Sequence, residues 1–397
     1  MDFSLSEEQQ AIQATFRRFA DREIRPQARD LDENPRFPKE LFLQAGGLGF
    51  FGMRYPPPEG TGADIVTYVL AVEEIARGSL AVAAACTMQS LMGTYFVHQF
   101  AEGELRERLF LPALRGEKIG AICMTEPNAG SDLGAISTRA VERDGRWLVT
   151  GQKTWVTSAP VADFFTVFAR TDGASAGEFT SPERAGGAGG HSVPPRKDAK
   201  ELSIFLVERG AAGLAVGRSI EKMGVRASLT SEVSFIETPA TCLLGERGKG
   251  MEYLRRILAE IRVMTAALAI GVGRAAYQDA LTYSKERRQF GRPIAEFQAV
   301  QAHLAEMAVD LEAARRLTHW AAWRSDQKMQ NETEANMAKL FASEAALRVC
   351  DRAARVFASY GFANDFPIQR YLRDVRFTLI GGGTSEILRG NIAKGLK

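Results

Sequence analysis

Met124-Thr-Glu-Pro-Asn-Ala-Gly-Ser-Asp132 follows a short β-branched run that opens at Ala121, and then turns at Pro127 and Gly130. A strand that ends in such a turn exposes backbone N–H groups and hydroxyls together. Those groups suit a flat, hydrogen-bonding ring or an acyl carbonyl, and the glycine spacing is neither that of a Walker nor that of a Rossmann loop. Downstream lie Trp147-Leu-Val-Thr150, Lys153-Thr-Trp-Val-Thr157, Phe164 to Ala169, Leu202 to Val207 and Ser231 to Ile236. These runs are short, β-branched and aromatic, with Gly, Asp and Asn between them, as strands are. No helical stretch separates them, so the sheet is expected to be mostly antiparallel. Asp144-Gly145 and Gly151-Gln152 read as turns. Side-chain alternation puts Trp155 and Thr157 on one face, where an aromatic beside a hydroxyl suits a planar cofactor, although a core tryptophan with a surface threonine is commoner for a lone strand. Residues 171–200, rich in Gly, Ala, Ser and Pro, read as a flexible surface loop without a function.

On either side the pattern is helical. In residues 1–119, Ser4 and Ser6 ahead of Glu7 and Glu8 signal a helix start. Ile12, Phe16, Phe19 and Ile24 recur at helical spacing as far as Pro26. Residues 63–77 and 80–100 follow, the second with so few charges that burial on most faces is expected. From Gly248 onward, 249–285, 294–324 and 331–359 form long periodic stretches, as a bundle requires. The expected fold is α+β: an N-terminal helical domain (1–119), a central antiparallel β domain (120–238) and a C-terminal four-helix bundle (239–397).

The chain of 397 residues has 45% hydrophobic and 25% charged residues and a net charge of +2, which gives no pull towards nucleic acid or anionic membrane. The N-terminus lacks a basic-apolar signal pattern, and no apolar run approaches the roughly 18 residues that span a bilayer. Cys86, Cys123, Cys242 and Cys350 are scattered, and the four histidines lack ligand spacing, so neither a disulfide framework nor a metal site is expected. A reducing cytoplasm is the default compartment.

Near the C-terminus, Tyr371 to Arg389 carries a charged helix end, then Gly381-Gly382-Gly383, then Thr384-Ser385-Glu386 and a helical tail. Three glycines permit close backbone approach, and Thr384 is placed to cap a helix whose N-terminus attracts an anion. An ordinary loop before a terminal helix carries the same pattern.

Together these motifs resemble the acyl-CoA dehydrogenase family. Met124 to Asp132 is similar to its TEPGAGSD signature, and Lys153 to Thr157 to its K-x-W/F-I-T strand. Glu286 to Ile294 resembles its R-x-x-F-G-x-P-I turn, with Phe297-Gln298 as the following F-Q. Arg373-Asp374 with Gly383 to Glu386 resembles its R-D and G-T-S-E pair. The resemblance runs in order through nearly the whole chain. It implies FAD held between subunits of a homotetramer and α,β-dehydrogenation of an acyl thioester. A carboxylate would take the α-proton, the β-hydride would pass to flavin N5, and an electron-transfer flavoprotein would accept the electrons.

The resemblance also assigns residues. Ile122, Met124, Thr125 and Ser131 would meet the flavin ring, with Trp155 and Thr157 along its other side. Arg287, Phe290 and Gln298 would come from a neighbouring subunit, and Arg355, Thr384 and Glu386 would meet the phosphate and adenosine parts. Ser131, Arg262 and Gly383 would touch acyl-CoA. Met88, Leu91 and Met92 suit an apolar acyl pocket or plain helix core alike.

The catalytic base is where the chain departs from the family. The commonest base position is Gly382, and the alternative on the first bundle helix, directly before the Arg matched by Arg262, is Ile261. Glu260, one residue and about 100° away on a helix, is the candidate that remains. Ala259 replaces an Asp near the CoA adenine, and Arg355-Val-Phe-Ala-Ser359 replaces a Q-x-F-G-G stretch. An acyl-ACP oxidoreductase, which needs no adenine contact, and a flavin monooxygenase, which needs no base, are the alternatives. A non-enzymatic flavoprotein fits less well with the retained motifs.

Overall fold

The computed structural model describes residues 4–171 and 202–396. The stretch read as a flexible loop lies almost wholly outside these. Ser6 caps α1 (Glu7–Phe19): its hydroxyl accepts from the Gln9 N–H while the Gln9 side chain accepts from the Ser6 N–H. The helix does not end at Pro26. A π-type turn, Ala20–Ile24, leads directly into α2 (Arg25–Glu33), with Pro26 in its first turn. The widened turn takes up the clash that a proline ring makes with the carbonyl four residues earlier.

α3 (Lys39–Gly47), α4 (Ile65–Gly78) and α5 (Leu80–Met88) follow; a second π-type turn, Gln89–Gly93, then leads to α6 (Tyr95–Phe100). The run Leu80–Phe100 is in fact long and apolar enough by composition to cross a membrane, yet 89% of its most apolar window is buried inside the protein. Two short turns of helix, α7 (Gly103–Leu105) and α8 (Leu111–Leu114), close this region.

The sheet begins with β1 (Gly120–Cys123), β2 (Arg139–Arg143), β3 (Arg146–Thr157) and β4 (Phe164–Arg170). It continues with β5 (Leu202–Glu208), β6 (Leu214–Ser219), β7 (Thr230–Pro239) and β8 (Cys242–Leu243). The order is β6-β7-β3-β2-β4-β5-β8, with β1 parallel to β4 at one side. A single register position also joins β2 to β4 in parallel; the other pairings within the sheet are antiparallel. The two strands expected around Gly151-Gln152 are one, because β7 pairs along the whole length of β3 and absorbs the irregularities as register shifts.

The C-terminal region is built on α9 (Gly250–Glu286), α10 (Gln298–Asp326) and α11 (Glu332–Phe357), with α12 (Ile368–Asp374) and α13 (Ser385–Gly395) as a tail. A two-residue hairpin, β9 (Arg288–Gln289) and β10 (Arg292–Pro293), joins α9 to α10. α4 packs directly on α9, and Gly271 permits it: a Cβ there would lie 2.5 Å from the Glu73 carbonyl oxygen. At this crossing the buried Glu73 accepts from Arg274 (3.1 Å) and Arg315 (3.0 Å) and lies 3.0 Å from His319 Nε2. Burial alone raises its pKa, but His319, Arg315 and Arg274 together bring it down to about 2.

Candidate active site

A buried ion pair fixes the loop that follows β1. Lys153 Nζ donates to Glu126 Oε1 (2.8 Å) and to the Met124 carbonyl (3.1 Å). Glu126 also accepts from the Ser137 N–H (2.7 Å), the Ser137 hydroxyl (2.6 Å) and the Thr138 N–H (2.9 Å). Burial opposes its charge, but Lys153 and these donors hold its pKa at about 2. With the Thr154 N–H donating to the Thr125 carbonyl at 2.9 Å, the loop lies against the bulged end of β3. Thus Met124 and Thr125 lie against Lys153 and Thr154, with Trp155 next in the strand and Thr157 two residues further on. Ile122 is buried in β1, and Ser131 is exposed on the far limb of the loop. Glu126 was not singled out in the sequence, although it stands inside the motif that was.

Trp155 adopts φ 57° and leaves 57% of its surface exposed, while its neighbour Val156 is buried. A left-handed tryptophan costs about 1 kcal/mol or more, and here it accompanies an aromatic side chain left open to the outside. This surface fits a planar, hydrogen-bonding ring. Phe290 likewise sits at φ 50° on the β9–β10 hairpin and is 93% exposed, with Arg287 at the end of α9 beside it and Gln298 opening α10.

Arg355 donates to Asp351 (2.8 Å) and borders a groove of about 480 Å³ that also gathers Arg348, Arg352, Arg376 and His303. At the end of α11, Ala358 takes φ 51° and ψ −129°, a glycine conformation held by alanine. So the backbone keeps the course of a Gly-containing stretch although the glycine is missing. Thr384 caps α13, accepting from the Ile387 N–H at 3.4 Å, with Glu386 exposed in the first turn.

The glycine stretch meets α9 at Ile261 and Thr265, and Gly382 and Ile261 are the two positions where the resemblance would place a base. Gly382 (φ 73°) and Gly383 (φ 110°) are left-handed. A Cβ on Gly382 would lie 2.9 Å from Thr265 Oγ1 and 3.7 Å from Ile261 Cγ2. Gly382 and Ile261 are therefore adjacent, and neither supplies a carboxylate. Lys339 on α11 donates to the Gly383 carbonyl at 2.6 Å and ties the stretch down.

Glu260 points elsewhere. Both its oxygens are taken by Arg54, through Nε at 2.7 Å and through Nη2. The pair is mostly buried, with side-chain exposures of 8% for Arg54 and 15% for Glu260. The Arg54 guanidinium also lies 5.2 Å from the Tyr55 ring and 5.3 Å from the Tyr95 ring. A carboxylate whose two oxygens both accept from a mostly buried arginine is turned to that partner and away from the glycine stretch. Arg54 stands 206 residues from Glu260, and nothing local in the sequence signals the pair.

Comparison with known proteins agrees with this architecture. Residues 6–117, 121–238 and 248–397 match the N-terminal, middle and C-terminal domains of acyl-CoA dehydrogenases. The chain belongs to the acyl-CoA dehydrogenase family. It is 54% identical over 398 residues to benzylmalonyl-CoA dehydrogenase of Aromatoleum aromaticum, covering 99% of each chain. The structure of butyryl-CoA dehydrogenase from Megasphaera elsdenii superposes with a TM-score of 0.90 at 32% identity, covering 100% of both chains. A structure of PigA with FAD and proline superposes at 0.90 with 26% identity, covering 100% of this chain and 99% of that one. The chain is an enzyme of the CH–CH oxidoreductase type with FAD as its cofactor.

Proposed function

We propose that this enzyme acts on an acyl-CoA carrying a carboxylate on its α-carbon, an arylmethyl-malonyl thioester, and that loss of this carboxylate as CO2 replaces abstraction of an α-proton. The observation behind this reading is the missing base: Gly382 and Ile261 occupy both family positions, and Glu260 is committed to Arg54. The similarity to a protein named for a benzylmalonyl thioester points to the same substrate class.

The chemistry balances without a protein base. The bond from the α-carbon to the carboxylate breaks, and its electron pair forms the α,β double bond as a hydride leaves the β-carbon. The products are a 2-enoyl thioester, CO2 and the two-electron-reduced cofactor. Bound FAD supplies the hydride acceptor, N5 of its ring. The loop Met124 to Ser131 and the outward face of Trp155 would hold that ring, and Ile261, Thr265 and the glycine stretch would close the α-carbon side.

An apolar side chain at 261 also removes a competitor. A carboxylate there would face the departing carboxylate, and like charges in a poorly hydrated site repel. A homotetramer in a cytoplasmic setting, with an electron-transfer flavoprotein as acceptor, belongs to the same proposal. The exposed Phe290 hairpin supports an assembly in which a second subunit covers it.

The test is anaerobic mixing of the FAD-loaded enzyme with benzylmalonyl-CoA and, separately, 3-phenylpropionyl-CoA. Bleaching of the flavin with one CO2 per flavin is expected from the first and no bleaching from the second. Equal bleaching by 3-phenylpropionyl-CoA without CO2 would overturn the proposal in favour of ordinary dehydrogenation.

A further inference from the structure

Beside the glycine stretch are two buried cations without a buried carboxylate. The Arg262 side chain is 7% exposed, and its Nε and Nη1 have no hydrogen-bond partner among the described residues. Its nearest carboxylate, Glu332, is 3.6 Å away, beyond hydrogen-bond range, on a side chain 75% exposed. Lys339 is fully buried; among the described residues its one hydrogen bond goes to the Gly383 carbonyl, and no carboxylate lies within ion-pair distance. Burial brings Lys339 down to about 8, with Arg262 adding to that shift and Glu344 and Glu386 opposing it.

Both cations are tied to the Gly382 region, Lys339 by a hydrogen bond and Arg262 by its place on α9 and its effect on the Lys339 charge. Lys339 holds the residue that follows Gly382. Arg262 follows Ile261 and stands three residues before Thr265, the two side chains nearest a Cβ built at Gly382. A buried charge whose nearest carboxylate is exposed and beyond hydrogen-bond range is poorly compensated, and folded proteins keep one where a ligand or partner completes it. In the commonest acyl-CoA dehydrogenase pattern, a protein carboxylate stands at the position of Gly382; here the cations are present and that anion is not.

We propose that Arg262 and Lys339 form the binding site for the substrate's own α-carboxylate, which thus fills the place of the missing glutamate. The inference rests on the proposed 2-carboxyacyl-CoA substrate. It makes Arg262 a determinant of substrate class and moves it from a contact with CoA, which every thioester shares, to a contact with the group that leaves. Ion-pairing with a planar guanidinium fixes the orientation of a carboxylate as well as its place. The bond to be broken is thereby held in one direction relative to the thioester. Lys339, which also holds the Gly383 carbonyl, couples that orientation to the backbone of the glycine stretch.

The experiment uses two thioesters that differ only in the group at issue. Malonyl-CoA and acetyl-CoA share the CoA and the thioester, and neither has a β-hydrogen to lose. Dissociation constants are measured by calorimetry on the FAD-loaded enzyme. The wild type is expected to bind malonyl-CoA about tenfold or more tighter than acetyl-CoA. R262Q and K339M are each expected to abolish that preference and to leave the acetyl-CoA constant within about twofold.

R262K retains the charge without the fork and is expected to keep part of the preference. FAD content and melting temperature establish that each variant is folded, and if K339M does not hold FAD, R262Q decides alone. Equal weakening of both thioesters in R262Q would show that Arg262 serves the CoA and overturn the inference, as would a wild type without preference. A wild type that prefers malonyl-CoA but releases no CO2 from benzylmalonyl-CoA would retain this site and refute the proposed reaction.

Discussion

Residue by residue, the site is defined as much by what is paired as by what is present. Glu260 is the only acidic residue near the usual base positions on α9, and Arg54 occupies it from two directions. Substituting it therefore tests packing before chemistry. Glu260→Gln leaves a buried arginine without its counter-charge, which costs about 3–5 kcal/mol where the pair is fully buried, and somewhat less here. The expected outcome is a lower melting temperature with kcat for benzylmalonyl-CoA within about fivefold of the parent, a change far below the 10²–10⁴ that loss of a general base removes. A kcat loss of about 10³ with unchanged stability would restore Glu260 as the base. The double variant R54M/E260M removes both charges together and is expected to recover most of the stability, since only the unpaired charge is costly.

At the level of elements, the crossing of α4 on α9 and α10 holds the N-terminal helices to the bundle. Glu73 is buried there among Arg274, Arg315 and His319. Removing it strands these cations, so Glu73→Ala is expected to destabilise the protein by about 3–5 kcal/mol, read as a shift in the denaturant midpoint. The pH dependence has a definite sign. The folded pKa of Glu73, about 2, lies below its ordinary 4.5, so its contribution is fully present above 4.5 and is lost as pH falls towards 2. Glu126 is likewise held at about 2, with the same sign, through Lys153. Acid unfolding between pH 4.5 and 2 is therefore expected to be less steep in Glu73→Gln than in the parent, when the denaturant midpoint is followed against pH.

Over the whole molecule, local signals were legible and non-local pairings were not. The turn after β1, the Thr384 cap and the long periods of α9 to α11 depend on neighbours within a few residues, and reading the sequence recovers them. The proline at 26 reads as a stop only while the helix is assumed regular; the π-type turn before it removes the conflict. Gly151 reads as a turn because glycine is enriched in turns and weakens strand interiors, but β7 pairs on both sides of it and overrides that preference. β6, mostly exposed, carries no alternating apolar signal to be found. Most of the site chemistry is of the non-local kind. Lys153 with Glu126, Arg54 with Glu260 and Lys339 with Gly383 join residues 27, 206 and 44 positions apart. The absence of a carboxylate at Gly382 and the presence of Arg262 could be read from the sequence, whereas Lys339, tied to the Gly383 carbonyl from α11, could not.

The same organisation bears on how the cofactor contributes to stability. Residues 120–171 and 202–243 meet the bundle through few elements, chiefly the start of α9, which touches β5 through Gly250: a Cβ there would lie 2.7 Å from the Leu202 carbonyl. Asp374 before the glycine stretch accepts from the Val225 N–H, and Arg373 reaches the Met223 carbonyl at 2.8 Å. The outward Trp155 and the loop Met124 to Ser131 lie on the sheet, whereas the Thr384 cap lies on the bundle tail, so a ligand that touches both fastens one to the other. A ligand bound to the native state alone stabilises it by about 4 kcal/mol when present at a thousand times its dissociation constant. Stripping FAD is therefore expected to lower the melting temperature by several degrees and to raise amide exchange in β3 and in α13 together, with α4 and α9 little changed. Exchange rising in β3 alone would show that the cofactor does not bridge the two regions.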